Sequence, residues 1–307
     1  MQQRKVLVIG SANMDLVTRI ERQPRPGETL IGRSFATVTG GKGANQAVAA
    51  ARLGGEVAFL GCVGDDAFGA QQRESLAAAG VDIRHLKVHP TEATGTAVIL
   101  VADEGQNVII IAPGANAGLE PEDIFAAQDL IGAADVVLLQ LELRPETVLA
   151  ALEIALDVGV LSVLDAGPAQ ALDPRMLRMA AVVSPNETEA EDISGLPVQT
   201  LDEARAAAAH IRGLGAREVV LKLEGRGALY FGGGETLLSP PFDVDVVDTT
   251  AAGDAFTAAL ALCWGLLPTP DALRFANAAG ALAVTRPGAQ PAMPSREAVD
   301  SFLRERS

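Results

Sequence analysis

The 307-residue sequence predicts an α/β fold: a central, mostly parallel β-sheet flanked by helices on both faces, with a small β-sheet lid. Three observations carry this expectation. Short β-branched runs alternate with Ala-rich helical runs along most of the chain, the pattern of a parallel sheet with helical crossovers. Two stretches, 14–39 and 94–111, break the alternation with strand-like residues and turn signals but no helical period. Apolar residues make up 49% of the chain and aromatics only 4%, so the interior must be built from Ala, Val, Leu and Ile.

Taken in order, Val6–Ile9 reads as a first buried strand, followed by the first helix-free stretch, which Pro24, Pro26 and Gly27 punctuate. A helix over Ala44–Leu53, a strand over Val57–Leu60 and a helix over Phe68–Ala79 come next. The second helix-free stretch alternates at Thr96, Val98 and Leu100 and again at Val108 and Ile110, with Asp103 to Gln106 as a hairpin turn. Strands at Val136–Leu139, Leu161–Leu164, Ala181–Val183 and Val219–Leu221 then enclose helices at Glu146–Leu156 and Leu201–Ile211. Val244 to Val247 reads as β-like, ahead of helices over Ala255–Leu262, Asp271–Val284 and Arg296–Leu303. No internal repeat or low-complexity linker divides residues 1–307, so one domain is expected, its lid formed by 14–39 and 94–111.

The formal charge of −15 excludes nucleic-acid and anionic-membrane partners, which need an excess of Lys and Arg, but leaves room for a small anion held by local donors. Cys62 and Cys263 stand isolated in apolar surroundings and read as buried free thiols. The first strand begins too early to leave room for a signal peptide, and no uncharged run reaches transmembrane length, so a cytoplasmic location is expected.

The most informative segment is Asp248-Thr249-Thr250-Ala251-Ala252-Gly253-Asp254. Small residues at the mouth of a helix leave its first N–H groups bare, which makes an anion site. Asp254 there is either a helix-capping acid or, beside a bound phosphate, a base for an attacking hydroxyl. Gly40-Gly41-Lys42-Gly43-Ala44-Asn45 is a second glycine loop entering a helix. It is not a Walker A loop, because position 36 is Ala and position 43 is Gly. Gly10-Ser11-Ala12-Asn13 likewise lacks a dinucleotide fingerprint. Asn13, Asp15 and Glu142 follow strand ends at the edge where parallel sheets place ligands, and with Lys42 and Asn45 they suit a polyhydroxylated ligand. In Ser184-Pro185-Asn186-Glu187-Thr188-Glu189, Asn186 and Glu189 form either a capping box or a pair near nucleotide phosphates, with Glu189 organising water around Mg²⁺. The two readings are compatible.

Four blocks, Gly10–Asp15, Gly40–Ala47, Pro185–Glu189 and Asp248–Asp254, resemble the ribokinase family, the PfkB-type carbohydrate kinases, over nearly the whole chain. The Ala251-Ala252 form of the last block, with Gly288-Ala289-Gln290-Pro291, points to the ribokinase branch rather than to fructokinases or adenosine kinases. The resemblance implies a sugar kinase that transfers the ATP γ-phosphoryl group to O5 of D-ribose, and a homodimer formed through the lid sheet. It assigns the sugar hydroxyls to Asn13, Asp15, Gly41, Lys42, Asn45 and Glu142, the base to Asp254, and the anion hole to the N–H groups of Ala251, Ala252, Gly253 and Asp254. ATP would contact Asn186, Gly253, Asn277 and the loop carrying Lys222, Glu224, Gly225 and Gly227. A monovalent cation, K⁺, would take Asp248 and the carbonyls of Thr250, Ala283, Arg286 and Gly288. Three departures accompany the likeness: Lys222-Leu223-Glu224 stands where Thr-Leu-Gly is usual, Asp165-Ala166 replaces Asn-Pro, and Ala292 replaces a serine of the cation site. The alternatives are a kinase for 2-deoxyribose, fructose or a nucleoside, or a non-catalytic sugar or nucleotide sensor.

Overall fold

The computed structural model describes residues 3–103, 106–169 and 172–306. Its main sheet contains β1 (Lys5–Ile9), β4 (Glu56–Gly64), β5 (Leu86–His89), β8 (Val136–Leu139), β9 (Leu161–Asp165), β10 (Val182–Ser184), β11 (Glu218–Lys222), β12 (Ala228–Gly232) and β13 (Glu235–Ser239). Their order is β13-β12-β11-β10-β9-β8-β1-β4-β5, parallel except for the last two pairings, β11 with β12 and β12 with β13. From β1 the chain builds outward to β4 and β5, then returns to lay β8 on the other side of β1. That reversal opens a crevice at the carboxyl ends of β1 and β8, the usual ligand position in open α/β sheets.

Alternate residues of each central strand feed two separate cores. Val6, Val8, Val136 and Leu138 face α1 (Lys42–Arg52), α9 (Ala252–Cys263) and α10 (Thr269–Ala283). Leu7, Ile9, Val137 and Leu139 face α5 (Pro145–Asp157) and α8 (Leu201–Gly213). The Ala-rich stripes of α1 and α9 let those two helices pack side by side, which brings both of their N-termini to the crevice. Smaller helices complete the two layers: α2 (Ala67–Ala78), α3 (Pro121–Ala126), α4 (Gln128–Gly132), α6 (Pro174–Met179), α7 (Glu187–Ser194) and α11 (Arg296–Arg304).

The helix-free stretches form a separate four-stranded sheet, β3-β2-β6-β7, from β2 (Asn13–Ile20), β3 (Ser34–Gly40), β6 (Gly95–Ala102) and β7 (Asn107–Ala112). The tip of the expected turn at 103–106 lies partly outside the described residues; Ala102 N–H donates to Gln106 O at 2.9 Å at its base.

Two expectations need correction. Val244–Val247 is not a strand: it has no strand partner among the described residues, Val246 and Val247 are exposed, and the segment is held by the packing of Val244 on the core and by Val247 N–H to Val284 O at 2.8 Å. β-branched residues without a neighbouring edge give extended coil, not sheet. The hairpin β12–β13 escaped the sequence reading, although Gly233 and Gly234, both at positive φ, supply the left-handed turn it needs.

Candidate active site

Asp254 lies in the first turn of α9, whose N-cap, Ala251, takes a left-handed conformation at φ 60°. A non-glycine residue there is uncommon and strained, and such strain collects at functional sites. Ala252 N–H donates to Thr249 O at 3.3 Å, whereas the N–H groups of Gly253 and Asp254 meet no acceptor among the described residues. The expected anion hole is therefore narrower by one donor. Asp254 does not cap its helix. Its buried carboxylate turns to α1 and accepts from Asn45 Nδ2 on Oδ2 and from Gln46 Nε2 on Oδ1, each at 3.0 Å. Burial lifts it to a pKa of about 6, against the pull of the Lys42 ammonium and with help from the like charge of Asp165.

Gln46 ties this carboxylate to a second one. Its Nε2 also donates to Asp165 Oδ2 at 2.7 Å, while Gln140 Nε2 holds Gln46 Oε1 at 2.5 Å and so orients the amide. Asp165, at the end of β9, is wholly buried and receives Lys222 Nζ at 2.6 Å and Lys42 Nζ at 3.5 Å. Those two ammonium groups keep its carboxyl below the usual range despite burial. Lys42 in turn is held in the charged state, against desolvation, by Asp165, Asp254, Glu189 and Glu142.

On the lid side, Asp15 projects from β2 beside Gly40, where any β-carbon would overlap its carboxylate. Gly41, at φ 89°, leaves no space either: a β-carbon would sit 2.6 Å from Asn13 N. Asp15 is buried and no protein donor reaches its carboxylate among the described residues; burial, then Glu142 and Asp254, lift its pKa to about 7. Asn45 Oδ1 is likewise buried without a partner. Asn13 is more fully engaged, donating to Glu142 Oε2 at 3.2 Å and accepting from Asn116 Nδ2 at 2.6 Å. Glu142 Oε2 also takes Ser11 Oγ at 2.5 Å and Lys42 N–H at 3.1 Å, securing the start of α1.

Across the α9 mouth, Asn186 and Glu189 do form a capping box for α7: Asn186 Oδ1 takes Glu189 N–H at 2.8 Å and Glu189 Oε2 takes Asn186 N–H at 2.7 Å. The other Glu189 oxygen faces Lys42 Nζ at 3.9 Å. Of the expected nucleotide loop, Lys222 belongs to β11 and points at Asp165, Glu224 is exposed at φ 46°, and Gly225 has open space around it. Gly227, at φ 91°, fits only because a side chain would strike Ser239 O. Asn277 Nδ2 is spent on Ser239 O, Ser239 Oγ and Pro240 O, at 2.9–3.1 Å, so its amide fastens β13 to α10.

Asp248 joins the two loops expected around the cation. It accepts from Thr250 N–H at 2.9 Å, Thr250 Oγ1 at 2.6 Å and Gly288 N–H at 2.8 Å, and Arg286 N–H reaches Ala283 O at 3.4 Å. The geometry thus gathers Asn13, Asp15, Lys42, Asn45, Glu142, Glu189 and Asp254 with the Gly253 mouth. Sequence reasoning gave no role to Ser11, Gln46, Asn116 or Gln140, and noted Asp165 only as a departure. Gln46 had a signal, since it follows Asn45 in the glycine-loop helix.

A buried acid beneath a bare helix mouth, with unpartnered polar atoms opposite, is an arrangement for phosphorylating a polyol. The chain belongs to the pfkB family of carbohydrate kinases, whose pattern it matches over residues 3–296. Within that family it is 39% identical to the ribokinase of Haemophilus influenzae, covering 98% of this chain and 99% of that one. It is 40% identical to the ribokinase of Bacillus subtilis over the same shares. A solved structure of Arabidopsis thaliana ribokinase complexed with ribose and ATP superposes with a TM-score of 0.91 at 35% identity, over 99% of each chain. A deoxyribokinase of Salmonella typhi is 36% identical over 97% of this chain and 98% of its own.

Proposed function

We propose that this protein transfers the γ-phosphoryl group of ATP to O5 of D-ribose, giving D-ribose 5-phosphate and ADP. The observation that carries this reading is Asp254, buried between two amide donors in the first turn of α9, where the N–H groups of Gly253 and Asp254 meet no acceptor among the described residues. Ribose would lie between Asp15, Asn45 and Lys42, its hydroxyls donating to the Asp15 carboxylate and to Asn45 Oδ1. Asp254 accepts the O5 proton as O5 bonds to phosphorus and the bond to ADP breaks; the free N–H groups and Lys42 meet the charge on the transferred group. The lid excludes water, which limits hydrolysis of ATP.

For Mg²⁺, Glu189 offers the oxygen that Asn186 leaves free, contacting the ion through water as that metal prefers. When bound, the ion neutralises phosphate charge. For K⁺, Asp248 and the carbonyls of Thr250, Ala283, Arg286 and Gly288 form an all-oxygen donor set suited to a hard cation, the two loops being joined by the Asp248–Gly288 bond. Turnover in K⁺ should exceed that in Na⁺ or Tris; equal rates in all three would remove this site.

We read the 307 residues as one catalytic domain with the sheet β3-β2-β6-β7 as its lid. A homodimer through that sheet is supported by exposed Phe35, Val98, Val108 and Ile110, apolar residues that fall on one face by strand alternation. No helix among the described residues is long and apolar enough to cross a membrane, which is consistent with the cytoplasmic location we propose. A coupled assay of ADP release over D-ribose, 2-deoxy-D-ribose, D-fructose and a nucleoside tests the reading. The highest kcat/KM is expected for ribose. A preference for deoxyribose, which differs by one hydroxyl, would move the assignment to that sugar, and no turnover with any would favour a sensor.

A further inference from the structure

Beneath the mouth of α9 lies a pair of opposite charges to which the proton transfer above gives no role. Asp165 closes β9 and Lys222 closes β11, with β10 between them, and Lys222 Nζ donates to Asp165 Oδ1 at 2.6 Å. The pair is costly where it stands. Taking two charges out of water consumes most of what their attraction returns, and apolar residues of similar volume often serve stability as well or better. Its surroundings suggest a different use. Lys222 Nζ lies 3.5 Å from Thr257 Oγ1, which itself donates to Gly253 O at 2.8 Å. The same ammonium is 4.0 Å from the point where a side chain on Gly253 would begin. It therefore flanks the first turn of α9, where the N–H groups of Gly253 and Asp254 are free. An ammonium carries three donors, and Asp165 with the long contact to Thr257 accounts for two. On the other side of the pair, Asp165 Oδ2 and Asp254 Oδ1 share a single amide, Gln46 Nε2, at 2.7 and 3.0 Å.

We propose that Asp165 and Lys222 work as one unit of the phosphoryl-transfer site: Lys222 offers its remaining donor to a phosphoryl oxygen of the triphosphate, and Asp165 is a positioning residue that holds Lys222 and, through Gln46, aligns Asp254. This deepens the kinase reading and rests on it. Formal charges support the arrangement. Lys42 and Lys222 both face Asp165, whose Oδ2 is held with Asp254 Oδ1 by Gln46, so these two carboxylates cannot follow an arriving phosphoryl anion toward the ammonium groups.

The test is a cycle of four proteins: wild type, Asp165→Asn, Lys222→Thr and the double variant. Wild-type turnover sets the baseline; if ribose is not phosphorylated, the kinase reading has failed, and the cycle is run on whichever sugar of the panel reacts. Each single variant should lower kcat/KM for ATP by about 10²-fold or more, the scale of one lost charge-stabilising donor, and the double should be no worse than the worse single. Losses that multiply would overturn the unit, as would singles within about threefold of wild type. Lys222→Arg, which keeps the charge, should recover part of the loss, and it remains informative if Lys222→Thr does not fold. The pH profile separates positioning from mere structure. The groups around Asp254 are Lys42, Asn45 and Gln46 of α1, Asp165 of β9, Glu189 of α7, Lys222 of β11, Glu142 after β8 and Asp15 of β2. Replacing Asp165 by Asn removes a like charge and leaves Lys222 unpaired, so the acid limb of kcat/KM for the sugar should move to lower pH. An unmoved limb would show that Asp165 only supports the fold.

Discussion

The two halves of the crevice are built differently. On the sugar side, Asp15, Asn45, Glu142 and Asp254 are carried on or secured to β2 and α1, packed against the central sheet, and spaced so tightly that Gly40 and Gly41 admit no side chain. On the side we assign to the nucleotide, Glu224 and Gly225 lie on a single 3-10 turn, the segment 240–250 is a loop with Val246 and Val247 exposed, and Asn277 Nδ2 is engaged by Ser239 and Pro240. The pocket we propose for the acceptor is built on strand and helix. The donor pocket is a rim that the nucleotide would complete. A site built on rigid elements can fix an angle of attack, whereas loops tolerate exchange of ATP for ADP.

Substitutions should expose this asymmetry. The largest effect is expected at Asp254: Asp254→Asn should lower kcat by about 10²–10⁴-fold, the range for a lost general base, with ATP affinity nearly unchanged. Steady-state kinetics with a nucleotide-binding titration would decide it, and near-normal turnover would make the base assignment wrong. Next come Asp15→Ala and Asn45→Ala, each expected to raise KM for ribose by about tenfold or more while KM for ATP moves little, because a buried hydrogen-bonding group is lost. Equal changes in both constants would contradict a sugar-only pocket.

A smaller effect concerns pH. Asp254 must be ionised to accept a proton, and its raised pKa of about 6 places the acid limb of kcat/KM there, with about a tenfold fall per unit below it. A limb near pH 4 would mean that the carboxylate is not desolvated in solution. The smallest is a stability change. Asp15, lifted from 3.8 to about 7 in the fold, favours the folded state fully below the unfolded value and loses that contribution as pH rises through 7. Asp15→Asn, which cannot ionise, should therefore raise Tm by about 2 °C at pH 8, and by less at pH 5. A gain independent of pH would point to packing rather than charge.

Much of this was legible in the sequence where local chemistry decides. The parallel strands showed as β-branched runs because they are buried on both faces, and the lid showed because alternation without helices has nowhere else to pair. Gly40 to Gly43 marked a glycine loop entering a helix, and Asp254 marked the helix mouth. What stayed hidden depends on tertiary pairing. Nothing near Asp165 announces Lys222, which lies 57 residues away. Gln140 and Asn116 carry no signal in the sequence; the fold brings Gln140, just after β8, beside Gln46 and Asn116, just after β7, beside Asn13. Asn277, expected at the nucleotide, also donates its Nδ2 to Ser239 and Pro240, a tie that depends on where β13 ends.

One strand joins two processes that are usually measured separately. β2 begins with Asn13 and Asp15 in the pocket and continues without a break to Ile20 in the lid, paired along its length with β6. Under the proposed function, a tilt of this sheet would displace the Asp15 carboxylate and rotate the apolar face that carries Val98 and Ile110. Were the proposed homodimer to form through that face, sugar affinity and self-association would be conjugate quantities: whatever factor the sugar applied to the dimerisation constant, dimerisation would return to the sugar.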